Sequence, residues 1–76
     1  MMTKNARELG EVLKTRSVEA LKEFYIKHYG EAPEVDDLTL EVSMHKMICN
    51  RRDMPKDLVM ESFKWLIGRG YKPRIY

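Results

Sequence analysis

Apolar side chains recur every three to four positions along most of this chain, the period of helices seen by a core on one side. Ala6, Leu9, Val12 and Leu13 share one face of a first segment. In a second, Val18, Leu21, Phe24, Tyr25, His28 and Tyr29 lie opposite Glu19, Lys22, Glu23 and Lys27. Capping and breaking residues set the boundaries. Thr3 is suited to cap a first helix over 4–14, although Gly10 weakens its middle. Ser17 suits the start of a second helix over 18–29, and Gly30 suits the left-handed residue that ends it.

The third segment is the unusual one. Pro33 and an acidic run separate it from the second helix, and Asp36 or Asp37 can cap it. At 100° per residue, Leu38, Val42, His45 and Cys49 line one side of a helix over 38–49, while Leu40, Met44, Met47 and Ile48 line the other. Leu38, Leu40, Val42 and Met44 also alternate as a strand would. Helix is preferred because the apolar pattern continues through Met47 and Ile48 and no other segment offers a partner strand. After a turn at Arg51-Arg52-Asp53-Met54, Pro55 suits the first position of a fourth helix over 55–68, with Asp57 favourably placed near its start. Its apolar residues Leu58, Val59, Met60, Phe63, Trp65, Leu66 and Ile67 sweep about 220°, roughly twice the arc that one core requires. Gly68 and Gly70 end it, and Pro73 keeps residues 69–76 extended. The expected fold is all-α: a small bundle of four short helices in one domain over 1–76, with the third and fourth as an antiparallel hairpin and an extended C-terminal tail.

Size sharpens the point about surplus apolar surface. A chain of 76 residues buries only about 60 to 65% of its unfolded surface, and oligomerisation is one common remedy. The second stripe of the third helix, the wide face of the fourth and the isolated Ile26 therefore predict protein contact. The expected interface is Leu40, Met44, Met47 and Ile48 with Met60 and Trp65, in a homodimer or against another protein, the methionines supplying adaptable surface. A small regulator of bacterial or phage type is the expected setting.

Charge supplies the alternative. The net charge of +2 is small, but its distribution is uneven. Residues 31–41 carry Glu31, Glu34, Asp36, Asp37 and Glu41 with no base, whereas residues 42–76 carry eight basic side chains against three acidic. Arg51, Arg52 and Lys56 form a basic loop, and Arg69, Lys72 and Arg74 interleave with Tyr71 and Tyr76 in the manner of single-strand binders. Nucleic-acid or acidic-partner contact through these residues is the competing expectation. Two features oppose it: in the hairpin, loop and tail lie about 20 Å apart, and the tail falls beside Glu34, Asp36 and Asp37, which could neutralise it. Ala6 and Gly10 have the small-residue spacing of a helix-turn-helix, but Arg16 and Glu19 fall where that motif needs buried residues, so the comparison fails.

Catalytic chemistry finds little to work with. His45 and Cys49 lie one turn apart, yet a closed zinc site takes four ligands and the other histidine, His28, is remote in sequence. The acidic run lacks the spacing of a calcium loop. No catalytic residue, metal, cofactor or small-molecule substrate is expected. The single cysteine, Cys49, excludes an intrachain disulfide and fits a reducing compartment. No apolar run has the length of a membrane span, and charges interrupt residues 1–13 where a signal peptide needs its apolar stretch. A cytoplasmic protein without membrane contact is expected.

Overall fold

The computed structural model describes residues 4–73. It contains four helices, α1 (Lys4–Thr15), α2 (Val18–Tyr29), α3 (Asp37–Asn50) and α4 (Lys56–Gly68), and no strand among the described residues. Residues 38–44 are helical: their alternation arises because both sides of α3 are apolar.

The helix ends follow their local chemistry. The Ser17 hydroxyl accepts the Ala20 N–H at 3.2 Å, and the Asp36 carboxylate accepts the Thr39 N–H at 2.7 Å. The Thr39 side chain first, and that N–H bond second, hold the Asp36 carboxyl below the usual carboxylate range. Asp36 is thus the cap, which frees Asp37 in the first turn to pair with Lys22 of α2 at 2.6 Å. Gly30, at φ 86°, closes α2 by donating to the Ile26 carbonyl at 3.0 Å. Pro55 is the residue before α4 rather than its first helical position: its ψ of 144° is extended, while its carbonyl already accepts the Val59 N–H. The expected cap Thr3 lies outside the described residues.

Helix α4 ends in a Schellman motif. Gly70, at φ 82°, donates to the Ile67 carbonyl at 3.0 Å, and Tyr71 donates to the Leu66 carbonyl at 2.9 Å. This reverses the chain, so that Tyr71 lies beside Leu38, Thr39 and Lys46, and the Asn50 side-chain amide donates to the Pro73 carbonyl at 3.0 Å. The start of the tail is therefore a strap along α3, with Pro73 buried.

Helix α3 is the central element. Helices α1 and α2 pack on each other and on α3, and α4 packs principally on α3. Leu40, Met44 and Ile48 of α3 join Leu13, Leu21 and Met54 in the core, with Met47, Leu58 and Val59 partly buried against it. This corrects the expected interface. Leu40, Met44 and Ile48 are almost wholly buried within the chain and offer no surface to a partner, and Met47 packs against the same cluster. The opposite stripe is used as well: His45 and Cys49 meet α4, and Val42 and Leu38 line a shallow groove with Tyr71. One chain thus occupies both stripes, through α1 and α2 on one side and through α4 and the tail on the other.

Arg51 and Gly10 have roles that periodicity does not reveal. The Arg51 guanidinium grips the Asp53 carboxylate through two bonds of 2.9 Å and donates a third, also 2.9 Å, to the Ala6 carbonyl of α1. This staples the α3–α4 loop to the first helix. Gly10 stands one turn after Ala6, and a Cβ there would come within 3.1 Å of both the Arg51 and Asp53 side chains. A small residue is needed so that the guanidinium can reach the Ala6 carbonyl. The Ala6 and Gly10 spacing thus belongs to this staple, and the Arg51 side chain, 17% exposed, is largely withdrawn from solvent.

A thermodynamic cycle tests the staple. Placed in a helix interior, Gly10→Ala gains about 1 kcal/mol from propensity alone. In the wild type this gain should be cancelled or reversed, because Arg51 is fixed by three bonds and cannot yield without lengthening them. In an Arg51→Ala background it should appear in full, so urea denaturation of the four variants should give a coupling of about 1 kcal/mol or more.

Candidate functional site

The sequence of α4 carries more apolar residues than α3 can cover. Its Ser62 and Leu66 are buried, with Leu58, Val59 and Trp65 partly so. Met60, Phe63 and Ile67 remain 55%, 38% and 53% exposed. Their spacing of three and four residues puts them in one stripe along the outer side of α4. Lys56 and Lys64, both exposed, fall beside that stripe at 100° per residue. Of the surpluses expected, the wide face of α4 and Ile26 are exposed, whereas the Leu40, Met44, Met47 and Ile48 stripe of α3 is used within the chain. Phe63 and Ile67 were not among the residues singled out from the sequence, although their places on the wide apolar arc of α4 were the available signal.

Trp65 has an internal use. Its ring stacks on His45 at 4.4 Å between centroids and 26° between planes, and the Arg69 guanidinium carbon lies 4.5 Å from the Trp65 ring centroid. His45 and Ser62 form a buried polar pair, with His45 Nδ1 2.8 Å from Ser62 Oγ. Ser62 is fully enclosed, so its hydroxyl meets no substrate and the pair fixes the register of the α3–α4 hairpin. The Cys49 thiol, also buried, points to the Val59 carbonyl at 3.9 Å. His28 is held elsewhere, 2.7 Å from the Glu8 carboxylate that also accepts Lys27. Among the described residues no three His, Cys, Asp or Glu side chains converge as metal ligands.

The basic residues separate into engaged and free. Arg51 is committed to Asp53 and Ala6, which corrects its place in a contact loop. Arg52 and Lys56 are exposed at the loop end of the hairpin, Arg69 is exposed at the other end where α4 stops, Lys72 is exposed on the strap that returns toward Asn50, and Arg74 lies outside the described residues. Among those described, no ion pair joins Arg69 or Lys72 to Glu34, Asp36 or Asp37. The expected separation of loop and tail is not kept: the chain reverses at Gly70 and carries the tail back along α3 to Asn50, beside the loop, while the acidic start of α3 is engaged by the Asp36 cap and the Lys22–Asp37 pair.

No family model, curated protein or solved structure matches this chain. Among the described residues no helix is long and apolar enough to cross a membrane.

The buried histidine makes the hairpin pH-sensitive. Burial pushes the His45 pKa below the ordinary histidine value; Glu41, one turn earlier, opposes this, and the nearby cations Arg16 and Arg69 reinforce it. The unfolded chain, titrating near about 6.5, then takes up the proton first. Stabilisation from neutral His45 is complete above that pH and declines as pH falls toward the folded-state pKa. The urea midpoint of the wild type should fall between pH 7 and 5. His45→Leu with Ser62→Ala, which removes both polar partners together, should flatten that dependence.

Proposed function

We propose that this protein is a non-catalytic interaction module that self-associates through the outer face of α4. The observation that carries the reading is the stripe of Met60, Phe63 and Ile67, which no described element covers. The stripe is self-complementary. Antiparallel pairing of two α4 helices about an axis between Phe63 and Lys64 brings Met60 of one copy opposite Ile67 of the other. It also lays each Lys64 stem near Phe63 of the other copy, where its ammonium can reach an aromatic face. Burial of this face at roughly 25 cal/mol per Å² is the driving force.

One helix face is smaller than the roughly 800 Å² per partner of a standard stable interface. The dimer is consequently weak and concentration-dependent. The nucleic-acid alternative keeps Arg52, Lys56, Arg69 and Lys72, but with Arg51 withdrawn its loop retains two of the three cations on which it was built. That leaves self-association better supported, in a small regulator or adaptor of the cytoplasm.

Sedimentation or light scattering across a wide range of protein concentration tests the reading. The wild type should move from monomer toward dimer as concentration rises, and Met60→Glu with Ile67→Glu should remain monomeric while retaining its helical circular dichroism, because both sites are exposed. Unchanged mass behaviour between wild type and variant would remove α4 as the interface.

A further inference from the structure

A second surface lies on different elements. Helix α2 ends with Tyr25 and Tyr29 one turn apart, their rings 5.7 Å between centroids and 34° between planes. Tyr25 is set from below by the buried Phe24, whose ring meets it edge-on at 5.9 Å. Gly30, in its left-handed conformation, then turns the chain so that Glu31, Ala32, Pro33 and Glu34 form the other wall of a shallow groove of about 530 Å³. Tyr29 is 65% exposed, and Ile26 and Val35 add exposed apolar surface on the same elements.

The charges on this groove are uncommitted. In the acidic run Asp36 caps α3 and Asp37 pairs with Lys22, whereas Glu31 and Glu34 make no hydrogen bond or ion pair among the described residues. Two aromatic faces with two free carboxylates at their rim match one chemistry: a cation that can stack on a ring while donating to a carboxylate, as the flat guanidinium of arginine does. The rings stand about one helical turn apart, and in an extended chain residues i and i+2 are about 6.7 Å apart on one side.

We infer that the Tyr25–Tyr29 groove binds an extended basic segment of a different protein, with arginines two residues apart seated over the tyrosines and paired with Glu31 and Glu34. The chain's own tail carries such a spacing in Lys72-Pro73-Arg74, but it is not the occupant. Pro73 is fastened to Asn50 at the far end of α3, about 20 Å from the helix start that adjoins the groove. Lys72 and Arg74 each adjoin Pro73 in the chain, so neither spans that distance while Pro73 stays seated. Delivery from a second copy would require the buried Pro73 to leave its site.

The test is titration of the isotopically labelled full chain, followed by amide chemical shifts, with the peptide acetyl-Ala-Arg-Ala-Arg-Ala-amide. A matched peptide with citrulline replacing arginine, which keeps shape and loses charge, is the control. Saturable shifts should be confined to Tyr25, Tyr29, Glu31, Ala32 and Glu34 and weaken with salt. Glu31→Gln with Glu34→Gln, and separately Tyr29→Ala, should each weaken binding about tenfold or more. All three sites are exposed, so the fold should persist in these variants. Equal response to the citrulline peptide, or binding unaffected by Tyr29→Ala, overturns the inference, the latter by reducing it to general attraction to acidic surface. Groove shifts that follow protein concentration without peptide overturn it in favour of a second copy. Met60→Glu with Ile67→Glu should leave peptide binding intact, so failure of this site and failure of the α4 interface are separately visible.

Discussion

The structure depends on the need to enclose α3. Its residues are apolar around most of the circumference, and a helix of that kind is stable in water only when it is surrounded. A larger protein would place it among many neighbours; this chain has three helices and a tail with which to do so. Helices α1 and α2 take the side of Leu40, Met44 and Ile48, α4 takes the side of His45 and Cys49, and the reversal at Gly70 lays Tyr71 and Pro73 along the remainder. Among the described residues every element is used to cover α3, and none covers the outside of α4. The exposed Met60, Phe63 and Ile67 follow from that shortage, since a helix sealing one side of the bundle has no further layer above it.

Within this frame, polar contacts choose between alternative packings that burial alone would leave similar in energy. Leucines and methionines can slide by a turn at modest cost, whereas a buried histidine paired with a buried serine cannot, because a shift leaves both unsatisfied. His45 and Ser62 thereby fix α4 against α3. Arg51 does the equivalent for the loop, joining Asp53 to the Ala6 carbonyl at the end of the hairpin where α3 passes into the loop. The Arg16–Glu61 pair, between the α1–α2 turn and α4, is exposed on both sides and adds little to stability.

The helices were legible because their period, caps and breakers agree with one another: Ser17, Gly30 and Asp36 act where their chemistry places them. What could not be read was the assignment of faces. Two stripes on one helix are equivalent to a periodicity argument, and only the three-dimensional path of the tail shows that Tyr71 and Pro73 share in covering the second. The side chains Met47 and Met44 look alike in sequence, yet Met44 is enclosed and Met47 only partly so. Arg51 and Gly10 were misleading for a related reason. An arginine in a turn ordinarily reads as solvated charge and a glycine in a helix as a weakness, and their mutual explanation spans about forty residues of sequence. Met54 likewise read as part of a turn but fills the core beneath it.

The two surfaces that remain have opposite characters, and that difference bears on how such a small protein could act. The outer face of α4 is apolar with flanking lysines, while the end of α2 is aromatic with free carboxylates. Like surfaces would compete for one partner and invite indiscriminate association; unlike ones can be occupied together. They also rest on parts of the fold with different support. The tyrosine groove is built on α2 and the loop it turns into, backed by Phe24 and by the α1 tether of Glu8 to Lys27 and His28. The α4 face depends on α4 remaining docked to α3 across a buried histidine whose protonation opposes that docking. Coupling between the two runs mainly through α3, the helix to which both sides of the molecule are packed, with the exposed Arg16–Glu61 pair as a second, weaker link between the α1–α2 turn and α4.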